Sequence, residues 1–181
     1  LNVPRTLAGT VTLFSGLNNA GNLTVNGILD FWTGGFVAGS PTYGPASTLR
    51  YQTGGTYGRA GEWLPNITSG AGYPNNVTIQ GNTTLDLPNS LSTQPFNMAG
   101  DLLIESDSKL QMAGATPMTA PLHVLGSATM LGTLELSTQP NGDIVVGGGW
   151  NMGASAIFTP NNRKVTLNGS GAQTVVGNSN F

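Results

Sequence analysis

Short runs of alternating apolar and polar residues recur along this chain, each closed by a turn rich in Gly or Asn. Leu23-Thr24-Val25 is followed by Asn26-Gly27 and then Ile28-Leu29-Asp30-Phe31. Val77-Thr78-Ile79 is followed by Gln80-Gly81-Asn82 and then Thr84-Leu85-Asp86-Leu87. Leu102-Leu103-Ile104, Leu122-His123-Val124, Ile144-Val145-Val146 and Val165-Thr166-Leu167 begin further units of the same kind. A period of two puts the outer residues of each triplet on one face of a strand and the middle residue on the other. Helical spacing of apolar residues is broken throughout by Gly, Pro and Asn.

The units begin at residues 23, 77, 102, 122, 144 and 165, so their spacings are 54, 25, 20, 22 and 21. Four of the five match one coil of a solenoid. One unit cannot bury its own apolar face, whereas stacked units bury a continuous core. The predicted fold is therefore all-β: a right-handed parallel β-helix, one domain over residues 1–181, with coils of about 20–25 residues.

The 54-residue gap reads as one coil plus an insertion, at about residues 32–74, expected to protrude from the stack. It holds Trp32, Trp63, all four Tyr (Tyr43, Tyr51, Tyr57, Tyr73) and many Gly. Arg59 and Glu62 lie three apart beside Trp63, which predicts an ion pair that orders the insertion. Long loops on rigid scaffolds often carry function. Tyr57, Arg59 and Trp63 are therefore the candidate ligand-binding residues, for instance for stacking on a sugar ring. The competing expectation is that these aromatics form a small core of their own.

Composition narrows the function classes. Charged residues make up 8% of the chain, against roughly 25% in an ordinary soluble domain. The six Lys and Arg are scattered and the net charge is −2, so no basic stripe is available to track phosphates. No apolar run is long enough to span a membrane as a helix. Cys is absent, which excludes disulfides and thiolate metal sites and leans toward export.

Candidate chemistry is sparse. His123 is the single histidine, and alternation turns it away from Leu122 and Val124, toward solvent. Asp30, Asp86 and Glu135 each follow a Leu at matching repeat positions, with Gln111 in the equivalent place after Leu110. They would form either one column that Ca²⁺ could bridge or solvent-facing acids on separate coils. Asp101, Glu105, Asp107 and Asp143 sit in or near turns, where Asp is favoured for backbone reasons. Gly147-Gly148-Gly149 reads as a coil corner needing positive φ. Thr24, Thr78 and Thr166 recur at one repeat position, but Leu103, His123 and Val145 interrupt the column an ice-binding face would need. No acid–base pair with a partner stands out, so the expectation is a protein without catalytic residues or a required cofactor.

The ends carry a further expectation. Val11-Thr12-Leu13-Phe14-Ser15-Gly16 echoes the Val165-Thr166-Leu167 unit, the chain opens without Met, and no capping helix precedes Phe181. A solenoid with open ends continues in a longer chain or stacks on another copy. Leu1, Asn2, Val3 and Phe181 are the predicted assembly contacts.

The stretch from Gly142 through Gly147-Gly148-Gly149-Trp150 resembles the repeats of very large secreted surface proteins of Bacteroidetes and related bacteria. So does Phe158-Thr159-Pro160-Asn161-Asn162-Arg163-Lys164 with the Val165 to Thr174 unit after it. Leu49-Arg50-Tyr51-Gln52-Thr53-Gly54-Gly55-Thr56-Tyr57-Gly58-Arg59, with Glu62-Trp63, is similar to a second element of the same proteins. The likeness covers most of residues 20–181. It implies export to the cell surface, β-helical stacking and an adhesin, stalk or filament role. Its partners would be further copies, flanking repeats or a surface polysaccharide.

Overall fold

The computed structural model describes residues 2–177. Within them the chain is an all-β solenoid whose helical element is a single 3₁₀ turn at Ala20–Asn22. Every strand pairing is parallel, and the strands stack in seven coils with the beginning of an eighth. Each coil presents up to three faces.

One face runs unbroken through the whole stack. Its eight strands are Thr10–Leu13, Ile28–Trp32, Thr48–Gln52, Asn76–Ile79, Leu102–Ile104, Ala128–Met130, Trp150–Met152 and Val175–Val176, in that spatial order. The register gives the coil lengths. Thr10 pairs with Ile28 and Ile28 with Thr48, steps of 18 and 20 residues. Thr48 then pairs with Asn76, a step of 28. Val77 pairs with Leu102, Leu102 with Ala128, Ala128 with Trp150 and Trp150 with Val175, steps of 25, 26, 22 and 25. The stack is thus narrow in its first two turns and wider afterwards.

The other two faces are each interrupted once, one at the step to the wider coil and the other one coil earlier. The face before the long sheet has Arg5–Leu7, Leu23–Val25 and Thr42–Tyr43 as one sheet. It resumes as a second sheet with Phe96–Met98, Leu122–Val124, Ile144–Val146 and Val165–Leu167. The face after the long sheet has Gly16–Leu17 with Phe36–Val37, then a separate five-stranded ladder from Thr56–Gly58 to Ile157–Thr159.

Alternation is visible in the burial of each strand. Leu102, Ile104, Leu122, Val124, Ile144 and Val146 are fully buried, while Leu103, His123 and Val145 between them are half-exposed. Inward columns such as Leu85, Leu110, Leu134 and Phe158 follow directly from the register. Each apolar side chain rests on its counterpart in the next coil, as stacked repeats require.

The corners are held by side chains that bond the next coil's backbone. The Asp101 N–H donates to Asn76 Oδ1 (2.9 Å), the Ser127 N–H to Asp101 Oδ1 (2.7 Å) and the Gly149 N–H to Ser127 Oγ (3.0 Å). The Lys164 N–H donates to Asp143 Oδ1 at 3.0 Å. The backbone role expected for Asp101 and Asp143 is therefore what these residues perform. A second seam lies inside another corner, where the Thr53 N–H donates to the buried Thr83 Oγ1 and the Thr83 N–H to Ser108 Oγ.

Three expectations are corrected here. The repeat units beginning at 23, 77 and 122 lie on different sheets, so the 20-residue spacing from 102 to 122 is a step between faces rather than a coil. True neighbours are Leu102 with Ala128 and Phe96 with Leu122. The stretch at 32–74 does not stand clear of the stack. It supplies Thr48–Gln52 to the long sheet and Thr56–Gly58 to the five-stranded ladder, so most of it is coil. Finally, Gly147, Gly148 and Gly149 do form a corner, but none has positive φ. Their constraint is close approach. A Cβ on Gly147 would lie 2.3 Å from the Leu125 carbonyl oxygen, and one on Gly148 2.6 Å from the Ser127 nitrogen.

That crowding makes a prediction. Gly148→Ala should lower stability by about 1–3 kcal/mol through overpacking. Gly171→Ala, where a Cβ meets nothing within 4 Å, should stay within about 0.5 kcal/mol of the parent. Urea denaturation followed by circular dichroism reads both, and equal effects would contradict the close-approach explanation.

Candidate functional site

The chain between Gly58 and Asn76 fills the break before the long sheet. Two antiparallel bridges, Thr42 with Ala71 and Pro65 with Phe96, link it to the sheets on either side. The Leu64 N–H donates to the Gly72 carbonyl (2.8 Å), the Gly72 N–H to Pro41 (2.8 Å) and the Asn66 N–H to Pro95 (2.7 Å). The segment is a folded-in plug that occupies one face of the fourth coil.

Its core carries charge. Arg59 is 2% exposed. Its Nε donates to the Leu87 carbonyl (2.8 Å), Nη2 to Pro88 (2.9 Å) and Nη1 to Ala60 (3.1 Å) and Trp63 (3.3 Å). The guanidinium also lies 4.5 Å from the centroid of the Phe96 ring, a cation–π geometry. Glu62 is fully buried, and its Oε1 accepts from the Ala60 N–H (2.9 Å) and the Tyr51 hydroxyl (3.1 Å). Its Oε2 has no hydrogen-bond partner. The expected Arg59–Glu62 ion pair does not form. The Arg59 fork is already spent on four carbonyls.

Burial governs the ionisation of this cluster. It pushes the Glu62 carboxyl up from the ordinary carboxylate range, against the lowering effects of its hydrogen bonds and of Arg59. Burial also raises the Tyr51 and Tyr57 hydroxyls and lowers the Arg59 guanidinium. Phe31, Tyr51 and Tyr57 pack as three rings with centroids 5.4–5.8 Å apart. Trp63 is fully buried, stands edge-on to Phe96 at 6.1 Å and donates its Nε1–H to the Asn97 carbonyl at 2.8 Å.

Of the candidate ligand-binding residues, Arg59 and Trp63 are therefore interior. Neither presents a face to solvent, and the small-core alternative describes them. Tyr57 is half-buried and lines a cleft of about 450 Å³ in the other break, between Thr33–Phe36 and Thr53–Tyr57. Asn2 and Val3 are exposed at the narrow end, where Asn19 Nδ2 lies 3.3 Å from Asn2 Oδ1. Leu1 and Phe181 lie outside the described residues.

The carboxylate column is divided. Asp86, Gln111 and Glu135 do share one ladder of the five-stranded sheet, so an amide separates the two acids. Asp30 belongs to the long sheet instead, opposite Arg50. It accepts a bidentate bond from Arg50 (3.0 and 2.9 Å) and a further one from Trp32 Nε1 (2.9 Å). Glu135 is paired with Lys109. Among the described residues no three His, Cys, Asp or Glu side chains gather at one point. His123 sits half-exposed between Asn97 and Val145 on neighbouring strands, with its pKa lowered by burial.

The residues that surround the cleft include three that the sequence pattern did not single out. Phe14 is 65% exposed, Phe36 48% and Trp32 37%. Phe14 and Trp32 follow Leu13 and Phe31, which are register partners, so they occupy one outward column. Their signal was an apolar residue where alternation calls for a polar one. No protein-family model, curated protein or solved structure matches this chain.

Glu62 supplies a pH prediction. A carboxyl raised on folding leaves full stability below its unfolded value of 4.5 and loses it as pH rises through the folded value. Glu62→Gln should therefore match the parent at pH 4 and exceed it increasingly toward neutrality, in thermal melts across that range. A gap that is constant with pH, or that favours the parent at pH 7, would contradict the buried-carboxyl account.

Proposed function

We propose that the chain is a non-catalytic structural segment of a secreted surface fibre or adhesin, a rigid spacer built to stack end to end. The observation that carries this reading is the unbroken eight-stranded parallel sheet with a continuous core behind it. Such a stack resists extension through ladders of backbone bonds shared between coils. The repeats of large Bacteroidetes surface proteins that the chain resembles are the kind of assembly it would belong to.

The placement of polar side chains supports a non-catalytic role that needs no cofactor. Asp30 is tied to Arg50 and Trp32, Glu135 to Lys109, and Asp101 and Asp143 to backbone N–H groups of the adjacent coil. Each is engaged in holding coils together. Stacking is supported by the wide end. Val165, Leu167 and Phe158 continue the inward columns there but are only half-buried, and Val175 is 49% exposed. The narrow end of another copy would cover them.

Sedimentation velocity tests the stacking. The parent chain should associate as its concentration rises, and Val175→Asp should reduce that association by placing a charge on the uncovered end. A parent that stays monomeric up to its solubility limit, with Val175→Asp indistinguishable from it, would argue against end-to-end assembly of copies.

A further inference from the structure

We propose that the corner formed by Phe14, Trp32, Phe36 and the adjoining cleft is a binding site for a neutral saccharide. The inference is independent of end-to-end stacking, since this corner lies on the side of the solenoid, at the break in the second interrupted face.

The aromatic rings are held in place rather than loosely exposed. Trp32 donates its Nε1–H to Asp30 Oδ2 at 2.9 Å, and Asp30 is itself locked by the two bonds from Arg50. The indole is thus anchored by its polar edge, and 37% of the residue stays open to solvent. Phe14 lies beside it with ring centroids 5.5 Å apart. Phe36 is seated over Gly16, where a Cβ would come within 2.4 Å of the ring. That seat exists only because residue 16 has no side chain. Single exposed aromatics are ordinary on protein surfaces, but several on one corner form a patch of the kind that marks an interaction site.

The cleft beside them is mostly apolar, with three threonines and no charged residue in its lining. Thr56 supplies an exposed hydroxyl, while the hydroxyls of Thr33 and Thr53 donate to the Thr53 and Gly55 carbonyls (2.6 and 3.2 Å) and keep their oxygens as acceptors. Its volume, about 450 Å³, falls within the usual range for small-ligand sites. On the sheet side the outward column continues from Trp32 to Gln52, whose amide is bonded to that of Gln80. Flat apolar rings next to threonine hydroxyls and the Gln52 amide suit a pyranose, which has an apolar C–H face and a rim of hydroxyls. The uncharged lining favours a neutral sugar over a uronic acid or a phosphorylated one. Pinned rings also spare the ordering cost that mobile side chains would add on binding.

The test is a glycan array carrying neutral and acidic oligosaccharides, followed by calorimetry on the strongest neutral binder. Trp32→Ala and Phe14→Ala should each weaken that binder roughly tenfold or more, a loss of about 1.4 kcal/mol, and Trp32→Phe should restore most of it. Gly55→Leu probes the cleft separately. A Cβ at Gly55 meets nothing within 4 Å, so the fold should tolerate it while the added side chain blocks the sugar. Trp63 and Trp150 are fully buried, so protection of tryptophan fluorescence from iodide by the bound sugar reports on Trp32. The proposal is overturned if no neutral glycan binds. It is equally overturned if binding is confined to acidic glycans or survives both Trp32→Ala and Gly55→Leu. A self-association lost in Trp32→Ala, without glycan binding, would identify the corner as a contact between copies instead.

Discussion

A single coil of this chain has nothing to fold against except the coil on either side of it. That constraint sets the rest of the structure. Inward residues must repeat in register, so that Leu85, Leu110 and Leu134 meet as a column. Backbone groups must bond up and down the stack, so strands are parallel and corners must bring chains close enough to continue the ladder. Glycine at Gly147 and Gly148 and the relay through Asn76, Asp101 and Ser127 are two local answers to the same demand. The low charge of the sequence follows as well, because like charges stacked one coil apart repel, whereas Thr, Asn and Gln do not.

The constraint is hardest to meet where the coil lengthens from 20 to 28 residues. One face loses its ladder there, the other has lost its own one coil earlier, and the long sheet alone runs unbroken through both. Aromatic rings fill the widened interior, because they bury more volume than the aliphatic residues used elsewhere. On one side the plug around Arg59, Glu62 and Trp63 closes the gap. Arg59 can be buried because its donors are satisfied by the carbonyls of Leu87, Pro88, Ala60 and Trp63. Glu62 organises Tyr51 and the turn at Ala60, and its burial there pushes its carboxyl up from the ordinary carboxylate range. On the other side the earlier interruption stays open as the cleft. One interruption is thus plugged, and the other, a coil earlier, leaves the most distinctive surface feature.

The solenoid was legible in the sequence because period-two alternation and turn residues report directly on local geometry. Even so, Leu102 and Leu122 looked like successive coils when they are successive faces of one coil. Triplets on all three faces obey the same alternation, and only the pairing partner distinguishes them. Residues 32–74 read as an insertion because their aromatic composition differs from the rest. The difference reflects what they fill, not where they project. Arg59 and Trp63 looked like surface candidates for the same reason: a sequence shows that a residue is large and polar-tipped but not whether a neighbouring coil will cover it. Phe14 and Trp32 were the more telling residues, since each violates the alternation at an outward position.

The central claim is that the segment after Gly58 is a structural part of the stack that seals the junction. Hydrogen–deuterium exchange on the intact chain tests it most directly. The amides of Leu64, Asn66 and Gly72 donate to backbone carbonyls and should exchange as slowly as those of the adjoining strands at Thr48–Gln52 and Phe96–Met98. Exchange of these three amides at the rate of an open loop, with the flanking strands protected, would contradict the account.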